Sequence, residues 1–200
     1  MSVTHHDTPR AVLYKPARHE PLADIAWDAV AARAAVDRIL LDVHAAFDAE
    51  QLWPIHPLDR SPERPAGALK PLFNGAAGVI WAQQHLQALD AAEPRRDYSA
   101  VIALLLALQH EDDLVLARDA SQAFVIGDAG LLLLHWLAAP SERVAEQLHD
   151  AIAAGSRNPA LGIVWGAGGA LLAAVFMYEL TGSARWQALF LQIADRLWAQ

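Results

Sequence analysis

Three times in this chain a pair of glycines three apart follows a bulky apolar or amide residue and precedes a run almost free of charge. The runs are Phe73-Asn-Gly75-Ala-Ala-Gly78, Phe124-Val-Ile-Gly127-Asp-Ala-Gly130 and Ile163-Val-Trp-Gly166-Ala-Gly-Gly169. Their first glycines lie 52 and then 39 residues apart, a period that suits one helical hairpin per repeat. Glycine within a helix costs up to ~1 kcal/mol relative to alanine. Its return at one place in each repeat therefore predicts a packing requirement: close backbone approach, a tight turn with positive φ, or both. No strand is predicted before any pair and no Gly-Lys-Ser/Thr follows, so these are not nucleotide loops.

Each pair opens a helix that is apolar nearly all round, over 79–89, 131–138 and 170–180. Such helices are buried on most of their faces. Two-faced helices are predicted between them. One covers 25–47, with Val36, Ile39, Leu40, Val43 and Phe47 as its apolar stripe. A second covers 96–117, with Val101, Ile102, Leu105, Leu108 and Leu116 inward. Ser141 is the N-cap expected for a third, carrying Val144, Leu148 and Ile152. Thr181-Gly182 closes the last uncharged helix, and Trp186, Leu189, Phe190, Ile193 and Leu197 stripe a final one. The expected fold is all-α: an α/α toroid, here an incomplete barrel of about three helical hairpins plus a final outer helix. Residues 1–23, punctuated by Pro9, Pro16 and Pro21, read as an extended arm; 24–200 read as the partial toroid, with a long proline-rich loop at 48–71.

Charge and composition narrow the function. The net charge is −8 without a Lys/Arg cluster, which argues against nucleic acid and a polybasic membrane surface. There is no cysteine, so disulfides and thiolate metal sites are excluded. The first ten residues lack the pattern of a signal peptide, and a cytoplasmic location is expected. Residues 158–178 carry no charge and are long enough to span a bilayer. Pro159 and Gly162 interrupt their start, and a buried inner helix is the expected outcome.

Together with Leu52-Trp53-Pro54-Ile-His56-Pro57 and Ser156-Arg157-Asn158-Pro159, the three openings resemble the first three inner-helix openings of lanthionine synthetase C-like proteins, over roughly residues 13–197. The resemblance implies an α/α toroid and a zinc ion, held by two cysteines and a histidine of later repeats. That zinc activates a thiol for addition to dehydrated serine or threonine residues, giving a thioether ring or an adduct with a small thiol such as glutathione. Physically, zinc lowers the thiol's pKa and holds the thiolate. The chain departs from this pattern. It has no cysteine, lacks the fourth opening with its histidine, and has Gly162 where the family often places an acid. The expectation is an N-terminal half, without zinc and inactive alone. Its partners would be a peptide or small thiol in the full-length form, and it would self-associate through exposed hairpin edges.

Candidate site residues are correspondingly sparse. Asp128, between two glycines, suits helix capping or a ligand role. His85 and His135 on inner helices could face the axis or lie buried. Arg157 and Asn158 could border the ring's mouth or anchor a loop. Gly75, Gly78, Gly127, Gly130, Gly166 and Gly169 are structural, and no metal ligands are assigned. His110-Glu111-Asp112-Asp113 reads as an acidic helix end, and His5-His6 as neutral. The seven tryptophans read as core and groove fillers. Two other readings compete: a carbohydrate-active toroid, which needs paired carboxylates near the axis, and a non-catalytic binding or assembly module.

Overall fold

A computed structural model describes residues 26–56, 69–93, 96–108 and 122–199. Among the described residues there are seven helices: α1 (Ala29–Ala45), α2 (Ala76–Ala88), α3 (Ser99–Ala107), α4 (Asp128–Ala138), α5 (Glu142–Gly155), α6 (Ala167–Thr181) and α7 (Ala184–Trp198). Among the described residues there is no strand, only an isolated bridge between Asp48 and Leu52. The fold is all-α, as the sequence predicts.

The helices sort into two rows. The largely apolar helices α2, α4 and α6 lie side by side, with α4 in the middle. Outside them α3 packs on α4, α5 packs on both α4 and α6, and α7 packs on α6. The outer helices sit there because each carries one apolar stripe. Ser141 Oγ accepts the Val144 N–H and starts α5, whose Val144, Leu148 and Ile152 are all buried. Trp186, Leu189 and Ile193 fix α7 onto α6, and Gly182 stops α6 with φ 63°. Arg185 of α7 pairs with Glu142 of α5.

Local geometry explains the glycine pairs. In all three repeats the first glycine is the helix N-cap, and the second lies inside the first turn. The caps share one extended backbone: φ −131°, −126° and −143° at Gly75, Gly127 and Gly166. Each cap N–H donates to the carbonyl four residues back, on Pro71, Ala123 and Gly162. The preceding turn then folds against the helix it opens. A Cβ on Gly78, Gly130 or Gly169 would stand 2.1, 2.3 or 2.3 Å from the carbonyl oxygen six residues upstream, on Leu72, Phe124 or Ile163. The positive φ anticipated at these turns is absent. Contact between turn and helix backbones is what demands glycine.

Several boundaries differ from the sequence expectation. The first helix begins after Asp28, whose carboxylate accepts the Val30 and Ala31 N–H groups at 2.9 and 3.0 Å. Of its predicted stripe only Leu40 is buried, and Ile39 is exposed, because α1 flanks the row at one edge. The helix expected from 96 starts at Ser99. There the Ser99 hydroxyl and N–H donate to Asp97 and hold its carboxyl below the usual carboxylate range. Leu116 and the acidic run 110–113 lie outside the described residues, as do the arm 1–23, His5-His6 and most of the proline-rich loop. At the start of that loop Leu52 has φ 62°, a conformation that costs about 1–2 kcal/mol. Its side chain, 2% exposed among Ile80, Tyr98 and Leu134, offsets this with roughly 1.5–3 kcal/mol of burial. The uncharged 158–178 stretch breaks before α6, and no described helix is long and apolar enough to cross a membrane.

Candidate functional site

Counting each inner helix from its capping glycine puts the three in a common register. Position six is Trp81, Leu133 and Leu172; position ten is His85, Leu137 and Phe176. All six border one cavity of about 1340 Å³, and Ala88 and Glu179, both at position thirteen, border it too. Positions six, ten and thirteen follow the i, i+4, i+7 spacing of a single helix stripe. The three helices thus present the same stripe to one space. No residue of α1, α3, α5 or α7 borders it, so it lies on the face of the inner row away from the outer helices. Trp53, Pro54, Ile55 and His56 wall it on the α2 side.

The lining is mostly hydrocarbon. Among the described residues its polar groups are His56, Asn74, Gln84, His85 and Glu179, with Glu179 the sole carboxylate. Trp81 and His85 stack face to face, centroids 5.2 Å apart and planes 9° apart. Phe73 and Trp81 are 66% and 38% exposed, so the cavity offers two partly open aromatic surfaces. Such a site favours a ligand with apolar side chains and a few polar groups at one end.

Behind α2 a polar cluster holds this wall in place. Gln83, 3% exposed, accepts from the Tyr98 hydroxyl at 3.3 Å, and that hydroxyl lies 3.3 Å from His44 Nδ1. These contacts tie α2 to α3 and α1. Phe47 and Trp53 pack edge-on and tilted against Tyr98, and Trp53 Nε1 donates to the Val43 carbonyl. Buried Lys70 donates to the Leu108 carbonyl at 2.9 Å. Its charge suits the negative end of α3.

The residues singled out in the sequence fall mostly elsewhere. Asp128 is the first residue of α4 and not its cap. It is buried and accepts from Gln122 Nε2 at 3.3 Å. His135, at position eight, is half-buried and off the cavity stripe. Asn158 anchors its loop: its Nδ2 donates to the Trp165 carbonyl and its Oδ1 accepts the Ala160 N–H. Arg157 is exposed and also off the cavity. His85 borders the cavity and is exposed. The turns of the first two openings reach the cavity, while the third does not. Apart from His85, the residues at positions six and ten were not singled out in the sequence, because helices apolar nearly all round carry no mark of which stripe will face a space.

Two thiolates and an imidazole, the zinc donor set the resemblance implies, do not fit these residues. The chain has no cysteine, and no three His, Asp or Glu side chains gather among the described residues. At Gly162, where the family often has an acid, an added Cβ would meet nothing within 4 Å. The space for a side chain exists and the residue does not fill it. No family model, no curated protein and no solved structure matches this chain.

Proposed function

We propose that this chain is a lanthionine synthetase C-like wall segment, three hairpins of an α/α toroid, whose cavity holds apolar side chains of a peptide substrate. The observation that carries the reading is the shared register: three glycine-opened helices turn positions six and ten toward one space. Alternation of largely apolar inner and two-faced outer helices supports the toroid. The reaction class is addition of a thiol to a dehydrated serine or threonine residue, sulfur to the β-carbon and proton to the α-carbon. The residues present contribute binding: Trp81, Leu133, Leu172 and Phe176 desolvate the peptide, and the exposed His85 and Glu179 meet its polar groups. Thiol activation belongs to residues this chain does not carry. Paired carboxylates, which a carbohydrate-active reading needs, are absent from the described lining.

Titration calorimetry with an apolar peptide containing dehydroalanine is expected to show saturable binding. Trp81→Ala removes one open aromatic face and should weaken it about tenfold, roughly 1.4 kcal/mol. Absence of binding, or indifference to Trp81→Ala, would reject the reading. Metal analysis of the purified chain is expected to find no stoichiometric zinc; one zinc per chain would show that the donor argument is wrong.

A further inference from the structure

The cavity differs from one end to the other. Its helices start together: the Phe73 N–H donates to the Val125 carbonyl at 2.8 Å, and a Cβ on Gly169 would lie 3.2 Å from Phe124 Cβ. With their openings side by side and one stripe in common, α2, α4 and α6 run along the cavity in the same direction. Asn74 and Gly75 border it at the opening end. The side chains at positions six and ten line its middle, and all but His85 are apolar. Position thirteen lies about 20 Å along a helix from its cap. At that depth α2 offers the methyl of Ala88, and α6 offers the carboxylate of Glu179.

Two observations give this far end a negative sign. Glu179 is exposed and is the sole carboxylate of the described lining, and no lysine or arginine borders the cavity among the described residues. The carbonyl ends of the three inner helices also lie toward this end, and helix C-termini favour cations. The approach to Glu179 is apolar, because Leu172, Phe176 and Glu179 follow one another on a single stripe of α6. A lysine or arginine side chain has the matching form. Its hydrocarbon stem can lie along Leu172 and Phe176 while its charged head stays hydrated at Glu179. The volume, about 1340 Å³, exceeds the roughly 300–1,000 Å³ of a pocket for one small molecule. There is room for neighbouring residues of the same peptide.

We infer that the peptide held in this cavity carries a basic residue beside its apolar ones, and that Glu179 receives the charged head at the end remote from the glycine openings. This rests on the peptide-binding reading of the cavity and narrows which peptides enter it. Glu179 is then a specificity-determining residue. It fixes which end of the peptide lies against the openings, and it rejects a peptide that would bring a second carboxylate beside it. Since Glu179 is exposed, water and salt screen the pair, and the expected preference for a basic residue is about fivefold.

Titration calorimetry with three capped peptides tests this. Each contains two leucines, a phenylalanine and a dehydroalanine, with lysine, norleucine or glutamate at one end. Each is made in both chain directions, and the tighter order is read. The lysine peptide is expected to bind about fivefold more tightly than the norleucine peptide, and the glutamate peptide most weakly. Glu179→Gln keeps the shape and removes the charge. With its fold verified by circular dichroism, this variant should bind the lysine and norleucine peptides equally. Equal binding of those two by the unaltered chain overturns the inference and leaves the peptide reading standing. So does a lysine preference that persists in Glu179→Gln, which would place the charge recognition elsewhere. If none of the three peptides binds, the peptide reading falls and the inference with it.

Discussion

Gly169→Ala is expected to destabilise the chain by about 3 kcal/mol or more, although alanine normally improves a helix by about 1 kcal/mol over glycine. The new methyl would stand 2.3 Å from the Ile163 carbonyl oxygen and 3.2 Å from Phe124 Cβ. The first neighbour is backbone and cannot change rotamer, so either the turn or the helix must move. Gly78→Ala and Gly130→Ala meet the same obstacle at 2.1 and 2.3 Å and should behave alike. In a chain of this length such a loss lowers the melting temperature by roughly 6–12 °C. Gly162→Ala is the control, since its methyl meets nothing within 4 Å and its φ is not positive. It should be neutral or stabilise by about 0.4–1 kcal/mol through the unfolded state. Thermal melts of the four variants decide the matter. Equal losses at Gly162 and Gly169 would show that backbone crowding is not what glycine answers.

A second large effect is expected at Trp186. This side chain is fully buried and lies in the core between α5, α6 and α7, 5.5 Å from the His149 ring. Trp186→Ala should cost about 3–5 kcal/mol, the transfer term plus an unfilled cavity. Trp186→Phe should cost clearly less. Its indole Nε1 is buried with no hydrogen-bond partner among the described residues. An unsatisfied buried donor carries a penalty of about 1–3 kcal/mol, which phenylalanine removes while filling most of the space. Urea denaturation midpoints provide the comparison. If phenylalanine costs as much as alanine, the indole N–H has a partner or the site tolerates no change of shape.

The elements readable in advance are those governed by neighbours within a turn or two. Ser141 caps α5, Gly182 ends α6, and Trp186, Leu189 and Ile193 stripe α7 as their spacing predicts. Each rests on local backbone hydrogen bonds or on a 3.6-residue period. The glycine pairs mark three helix openings for the same reason, although their cause proved to be contact and not positive φ. Prediction went astray where the answer lies across the fold. The stripe of α1 implied a buried face, yet Ile39 is 61% exposed. Lys70 and Gln83 are buried because Leu108 and Tyr98, distant in the chain, receive them.

The candidate site shows the same division more sharply. α2, α4 and α6 are apolar nearly all round, so composition places them inside without saying which stripe meets which neighbour. Only their assembly decides that positions six and ten of all three face a cavity while positions two and five of α2 and α4 are buried against neighbouring helices. Asp128 could be a cap or a ligand in the sequence; packing buries it beside Gln122, away from that space. Order, period and helix ends were thus determined by the chain alone, since they depend on interactions a few residues long. Facing, burial of polar groups and the cavity itself were decided by tertiary structure, since they depend on which surfaces remain once every helix has found its neighbour.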